Sequence, residues 1–221
     1  MNVYEAVTSR RAVRGFTDQP VPKEVLERVL SAAAWSPSGS NLQPWHIYVL
    51  TGAPLVQIKM LAVHRVGAGE PWDEREFEMY PPELKSPYHE RRADFAKQRY
   101  GALGIAREDL EARQRAAIAN WDCFGAPAAL FCYIDRDMGL PQWADLGMYL
   151  QTVMLLLRDE GLHSCAQMAC SQTRKSVAEV VSPPADRVLF CGMSIGYEDT
   201  AVGYARTGRA PLEETVTFIH G

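Results

Sequence analysis

"ADLGMYLQTVMLLLRDEGL", residues 144–162, decides the fold. At helical spacing Leu146, Met148, Tyr149, Leu150, Val153, Met154, Leu155, Leu156 and Leu157 leave almost no polar side. A helix of that kind is buried all round, in a core or at a subunit interface. Gly161 supplies its C-terminal cap. The rest of the chain must therefore provide surfaces that cover it. Three short runs rich in β-branched and aromatic residues read as core strands: "HIYVL" (46–50), "AALFCYI" (128–134) and "RVLFCGMSIGY" (187–197). "ETVTFI" (214–219) reads as a fourth.

Helices separate these strands without strict alternation. Asn2 and Glu5 form a capping-box pattern that opens a short helix. Val25, Leu26, Val29, Leu30 and Ala33 share one face of a second, stopped by Pro37 and Gly39. Residues 54–66 read as a third. The pattern predicts an α+β fold, a central sheet packed by helices, in one domain spanning 1–221. Between about 67 and 120 the chain departs from it. A proline- and carboxylate-rich excursion is followed by charged helical sequence broken near "GALGIARED". This region reads as a solvated helical face or as a lid over a pocket.

Bulk properties narrow the function classes. The 221 residues are 47% hydrophobic and 23% charged with a net charge of −4, a globular chain without the basic surface of a nucleic-acid binder. No stretch approaches the ~20 apolar residues of a membrane span, and no secretory leader is visible. The five cysteines form no C-x-x-C pair and read as reduced, buried thiols of a cytoplasmic protein. No metal-ligand spacing is present. Ser38 lacks a nucleophile elbow, and the five histidines have no triad spacing. If the chain is an enzyme, a cofactor must bring the reactive group.

Two stretches look built for a ligand. "SRRAVRGF" (9–16) crowds Arg10, Arg11 and Arg14 together. Guanidinium forks match phosphate oxygens two at a time, yet such a cluster also suits solvent or neighbouring carboxylates. A later loop carries Arg206 and Arg209, which would meet the same anion if the fold brings the two ends together. "SPSGSNLQPW" (36–45) packs small donors and acceptors around Gly39, as a binding loop or as an ordinary polar turn.

Taken in order, R-R-x-V-R-x-F, P-S-G-S-N-x-Q-P-W, a late G-Y and R-x-P-L-E-E resemble the nitroreductase-like FMN-dependent oxidoreductases. "NWDCFGAPAAL" is similar to a segment of the nitroaromatic-reductase branch with a long helical insertion. The resemblance implies a mostly antiparallel sheet flanked by helices in an intertwined homodimer, with FMN at the subunit interface. It assigns the phosphate and ribityl end to Arg10, Arg11 and Arg14, joined by Arg209, with Ala12 and Arg206 also in the cofactor site. Pro37, Ser38, Gly39, Ser40, Asn41 and Gln43 would reach that flavin from the partner. Gln167, Met168 and Ala169 would lie along the flavin ring, and the last strand would cross to the other subunit.

Ala12 stands where many relatives carry Ser, "AQMA" replaces a P-I-E-G type segment, and Thr207 stands where a Lys is common. The implied activity is reduction of nitroaromatic or related electron-poor aromatic compounds by NAD(P)H, in ping-pong hydride transfer carried by FMN rather than by a protein catalytic residue. The alternatives within the resemblance are reductive dehalogenation, ene-reduction, flavin breakdown, or non-catalytic flavin binding. Arg91, Arg92, Lys97, Arg99 and Arg107 of the insertion would select a carboxylated aromatic substrate, or else pair with nearby carboxylates.

Overall fold

The computed structural model describes residues 1–203 and 206–220; Tyr204 and Ala205, at the start of the second arginine loop, and Gly221 lie outside the described residues. In chain order the elements are α1 (Val3–Ser9), α2 (Lys23–Ala33), β1 (His46–Thr51), α3 (Gly52–Gly67), α4 (Tyr88–Ala102) and α5 (Leu110–Ile118). They continue as β2 (Ala128–Asp135), α6 (Leu140–Asp159), β3 (His163–Gln167), α7 (Arg174–Val181) and β4 (Arg187–Gly196). The strands form one sheet in the order β1-β2-β4-β3, and every neighbouring pair is antiparallel.

β2 is buried along seven of its eight residues because both faces of the sheet are covered. Ala128, Leu130, Cys132 and Ile134 meet α2 and α6, while Ala129, Phe131 and Tyr133 pack with residues of α3 and α7. Strand β4 needs a correction to keep in step. Cys132 opposes Cys191 but Tyr133 opposes Leu189, so Phe190 is the extra residue of a β-bulge. Val188 and Met193, five residues apart, thereby reach the same core. Phe190 turns to Trp143 and Phe77, with ring centroids 5.6 and 6.3 Å away.

Helix α1 opens with the expected capping box, Asn2 Oδ1 accepting from the Glu5 N–H while Glu5 accepts from the Asn2 N–H. α6 buries Leu146, Tyr149, Leu150, Val153 and Leu157 against the sheet, each worth roughly 1.5–3 kcal/mol of transfer free energy. Its other side is open within one chain: Met148 is 40% and Leu140 86% exposed. Burial on all sides is thus incomplete in the single chain. Trp35, Val3, Tyr4 and Ile219 add to the uncovered apolar surface.

The terminal strand expected at 214–219 does not form. Leu212–Glu214 make a single 3-10 turn, and Phe218 and Ile219 lie exposed beyond it. Among the described residues it pairs with no strand of its own chain, although β1 ends the sheet with a free edge. The fourth strand is instead His163–Gln167, too short and mixed to carry a strand signature.

The excursion divides into two parts. Its first residues are fastened to the body: Asp73, almost fully buried, takes Arg65 at 3.1 Å and the Lys175 N–H at 2.8 Å. Glu76 takes Arg136 at 2.7 Å. Trp72 stacks on Trp121 at 5.2 Å, and Phe77 packs edge-on to Trp143. The α4–α5 hairpin that follows buries no residue at all.

Candidate anion-binding cofactor site

Helix α1 stops at Ser9 because Arg10 turns to extended geometry, φ −61° and ψ 131°. The chain then runs beside β3: Ala12 pairs in parallel with Ser164, and the Val13 N–H donates to the Ser164 carbonyl at 3.2 Å. Val13 and Phe16 are buried among core residues and pin the strip, so its arginines project from a fixed backbone. A Cβ on Gly15 would stand 2.5 Å from Val202 Cγ2; only glycine lets the 199–203 loop close over the strip.

That closure brings the two ends of the chain together. A cavity of about 390 Å³ is lined by Arg10, Arg11, Ala12 and Arg14 from the strip and by Arg206 and Arg209 from the C-terminal loop. Among the described residues no carboxylate lines it. The guanidinium of Arg206 donates to the Thr8 carbonyl, tying the loop to the end of α1. Arg209 folds onto the Thr207 and Gly208 carbonyls at 3.0 and 2.9 Å. Arg14 donates to the Ala12 carbonyl at 3.3 Å and lies over the Phe95 ring. Of the five arginines, Arg11 alone makes an ion pair among the described residues, with Glu198.

Close behind this pair sits His163, its Nε2 3.6 Å from Glu198. Burial, helped by Arg158, pushes the His163 pKa down to about 4, so it is neutral at pH 7. Glu198 and His163 are neighbours of the arginine strip that the sequence did not signal; nothing in "GYED" or "GLHS" marks them.

The Pro37–Gln43 loop is exposed and lines no part of this cavity in its own chain. Ser40, Asn41 and Gln43 all have positive φ, 50°, 58° and 50°. Three non-glycine residues in that region need outside support. Asp145, buried on α6, supplies it by accepting from the Gly39 N–H at 3.2 Å. The Ser38 hydroxyl accepts from the Gln43 N–H at 2.9 Å. The loop is a shaped element, and its shape depends on a carboxylate that sequence spacing did not reveal.

Gln167, Met168 and Ala169 end β3 and begin a 3-10 turn. The Gln167 side chain is buried as a brace: its amide donates to the Asn120 carbonyl at 2.6 Å and its carbonyl accepts from Ser194. What remains for a ligand there is backbone together with the half-buried Met168 and Ala169. None of the three lines the arginine cavity.

Protein-borne nucleophiles are poor. All five cysteines are buried free thiols. Desolvation raises Cys123 to about 11 and Cys132 to about 12, so neither is a thiolate near neutral pH. Among the described residues no His, Cys, Asp and Glu group is placed to hold a metal, and no helix is long and apolar enough to cross a membrane.

The profile of the Nitroreductase family matches residues 7–197, from within α1 to the residue after β4. The chain belongs to the nitroreductase family. It is 36% identical over 217 residues to a 4-nitrobenzoate reductase of Nocardioides sp. (strain LMS-CY), covering 96% of this chain and 88% of that protein. It is 34% identical over 220 residues to a nitrobenzene nitroreductase of Ectopseudomonas oleovorans, covering 99% and 97%. Among solved structures it superposes on the FMN and NADPH-dependent nitroreductase NfnB from sphigopyxis sp. strain HMH with a TM-score of 0.95 at 36% identity, covering both chains fully. NfnB from Mycobacterium smegmatis, solved in complex with NADPH, gives a TM-score of 0.93 at 31% identity, covering 98% and 97%. The nitroreductase resemblance of the ordered motifs and the antiparallel sheet flanked by helices are both borne out.

Proposed function

We propose that this nitroreductase is a homodimeric, cytoplasmic FMN-dependent NAD(P)H oxidoreductase that reduces nitroaromatic or related electron-poor aromatic compounds. One observation carries the reading: five arginines from opposite ends of the chain meet around a cavity that, among the described residues, has no carboxylate in its lining. Such a donor set suits a phosphate monoester, which brings about −1.5 to −2 charges and three acceptor oxygens. The residues present therefore fit the FMN phosphate. The names of the full-length relatives and of the NfnB structures point the same way.

When bound, FMN takes up reducing equivalents from NAD(P)H and passes them to the aromatic acceptor. The protein's part is positional. Arg10, Arg11, Arg206 and Arg209 hold the phosphate, with Ala12 leaving room beside it and Arg14 next along the strip. The backbone at Gln167, Met168 and Ala169, fixed by the Gln167 brace, supports the ring system. Pro37, Ser38, Gly39, Ser40, Asn41 and Gln43 come from the partner subunit, which accounts for a strained loop, shaped by Asp145, that lines nothing in its own chain. The open side of α6 and the exposed Trp35 form the subunit contact, and the tail after Glu214 pairs with the other chain. The single domain of 1–221 then carries residues 67–120 as an insertion above the flavin.

The test is direct. The purified protein should be yellow, and its colour should bleach with NADPH in the absence of oxygen and return with a nitroaromatic compound. A colourless protein that cannot be reconstituted with FMN ends the proposal.

A further inference from the structure

A second cavity, of about 350 Å³, adjoins the arginine cavity and shares Arg14 and Phe95 with it. Its size falls in the ~300–1,000 Å³ range of small-molecule sites. The walls are mainly apolar, with Phe124 and Val202 from the body and Leu103 and Ala116 from the α4–α5 hairpin. Into this apolar space α4 sends Arg99. One Arg99 Nη donates to the Ala116 carbonyl at 3.1 Å, and the guanidinium lies 5.5 Å from the Tyr100 ring centroid. Its Nε is buried and meets no acceptor, and among the described residues Arg99 has no ion pair.

The other charges of the cavity make contacts of their own, although Asp199 keeps its negative charge. Arg115 pairs with Glu111, Glu198 with Arg11, and Asp199 accepts from the Ala201 N–H at 2.9 Å. Arg14 and Arg99 remain, two cations close enough to repel; burial, and after it that repulsion, lowers the Arg99 pKa. Two guanidiniums facing one apolar cavity, neither neutralised, make a place for a flat molecule that ends in an anion.

We propose that Arg99, with Arg14 beside it, binds the carboxylate of an aromatic acid in this cavity, so that the acceptor class favoured by the enzyme is a carboxylated aromatic. As a statement about acceptors the inference rests on the oxidoreductase reading above, but the binding site can be tested apart from it. Arg91, Arg92 and Arg107, equal candidates in the sequence, do not line the cavity: Arg91 pairs with Glu214 and Arg92 lies over Tyr80.

The experiment compares benzoate with benzamide, the same ring without the charge, by calorimetric titration of the protein with FMN supplied in excess. The parent should bind benzoate at least about tenfold more tightly than benzamide, the worth of one charge-assisted contact. Arg99→Gln should abolish that preference, and Arg99→Lys should keep part of it. Neither should disturb folding, since α4 buries no residue. Equal binding of the two ligands by the parent overturns the proposal, as does a preference that survives in Arg99→Gln. An FMN dissociation constant raised tenfold in Arg99→Gln also overturns it, because Arg99 would then serve the flavin. Failure of the protein to bind FMN at all removes the oxidoreductase reading, while the benzoate-to-benzamide ratio still reports on Arg99.

Discussion

Arg11→Ala separates two jobs that one guanidinium performs. In the protein without FMN, Arg11 is the direct partner of Glu198, and the two side chains are 30% and 14% exposed. Exposed pairs are worth ~0.2–1 kcal/mol, whereas stranding one member of a buried pair costs ~3–5 kcal/mol. The intermediate burial here places the loss at about 2 kcal/mol. His163 gives little relief: it stands 3.6 Å away and, with a pKa near 4, is uncharged at pH 7. For a chain of this length each kcal/mol moves the melting temperature by ~2–4 °C, so a drop of about 4–8 °C is expected.

Thermal melting of the FMN-free protein, followed by circular dichroism, reads this directly. Arg11→Ala/Glu198→Gln should recover most of the loss, because the stranded carboxylate is gone. FMN titration by fluorescence quenching should show both variants weaker than the parent, since each lacks one phosphate fork. The reasoning is refuted if Arg11→Ala melts like the parent, or if Glu198→Gln restores nothing.

Three further outcomes follow from the same structure. His163 has its pKa lowered from 6.5 to about 4, so the unfolded chain binds more protons between those values, and stability should fall as pH drops from about 6.5 toward 4. The drop is on the order of 2 kcal/mol after screening, and melting curves of His163→Gln across that window should be flatter than the parent's. Asp73→Ala takes the forked acceptor from Arg65, which keeps Glu70, and leaves the Lys175 N–H without its partner, costing about 2–3 kcal/mol; a melting temperature within about 2 °C of the parent would contradict the anchoring role of Asp73. Trp35, 90% exposed in one chain, should sit in the subunit contact, so Trp35→Asp should shift sedimentation toward the monomer and release FMN. A parent protein that sediments as a monomer at micromolar concentration sinks the homodimer.

The sequence showed the fold wherever one residue pattern settled the matter. The apolar run of α6, the three long strands and the capping box of α1 all declare themselves through local chemistry. β3 did not, because "HSCAQ" is mostly polar, buries residues on both faces without alternation, and has only five residues. The tail "ETVTFI" misled in the opposite sense: its alternation is real, but a strand needs a neighbour, and the chain does not pair the tail with its own free edge at β1. At the site, motif order led to the arginines, since charge clusters are visible in one dimension. Asp145, Glu198 and Phe95 were hidden because each acts across more than fifty residues of chain, and nothing local to them changes when they do so. Arg99 was visible only as one of five equal cations; burial singled it out.

The split character of the excursion has a consequence for protein engineering. Trp72, Asp73, Glu76 and Phe77 are welded to the body, while everything from Tyr80 to Ile118 contributes nothing fully buried. The hairpin is therefore a detachable module. Transplanting another sequence between these limits should leave the host architecture standing while changing what the enzyme accepts, whereas a cut placed a few residues earlier would take a structural rivet with it.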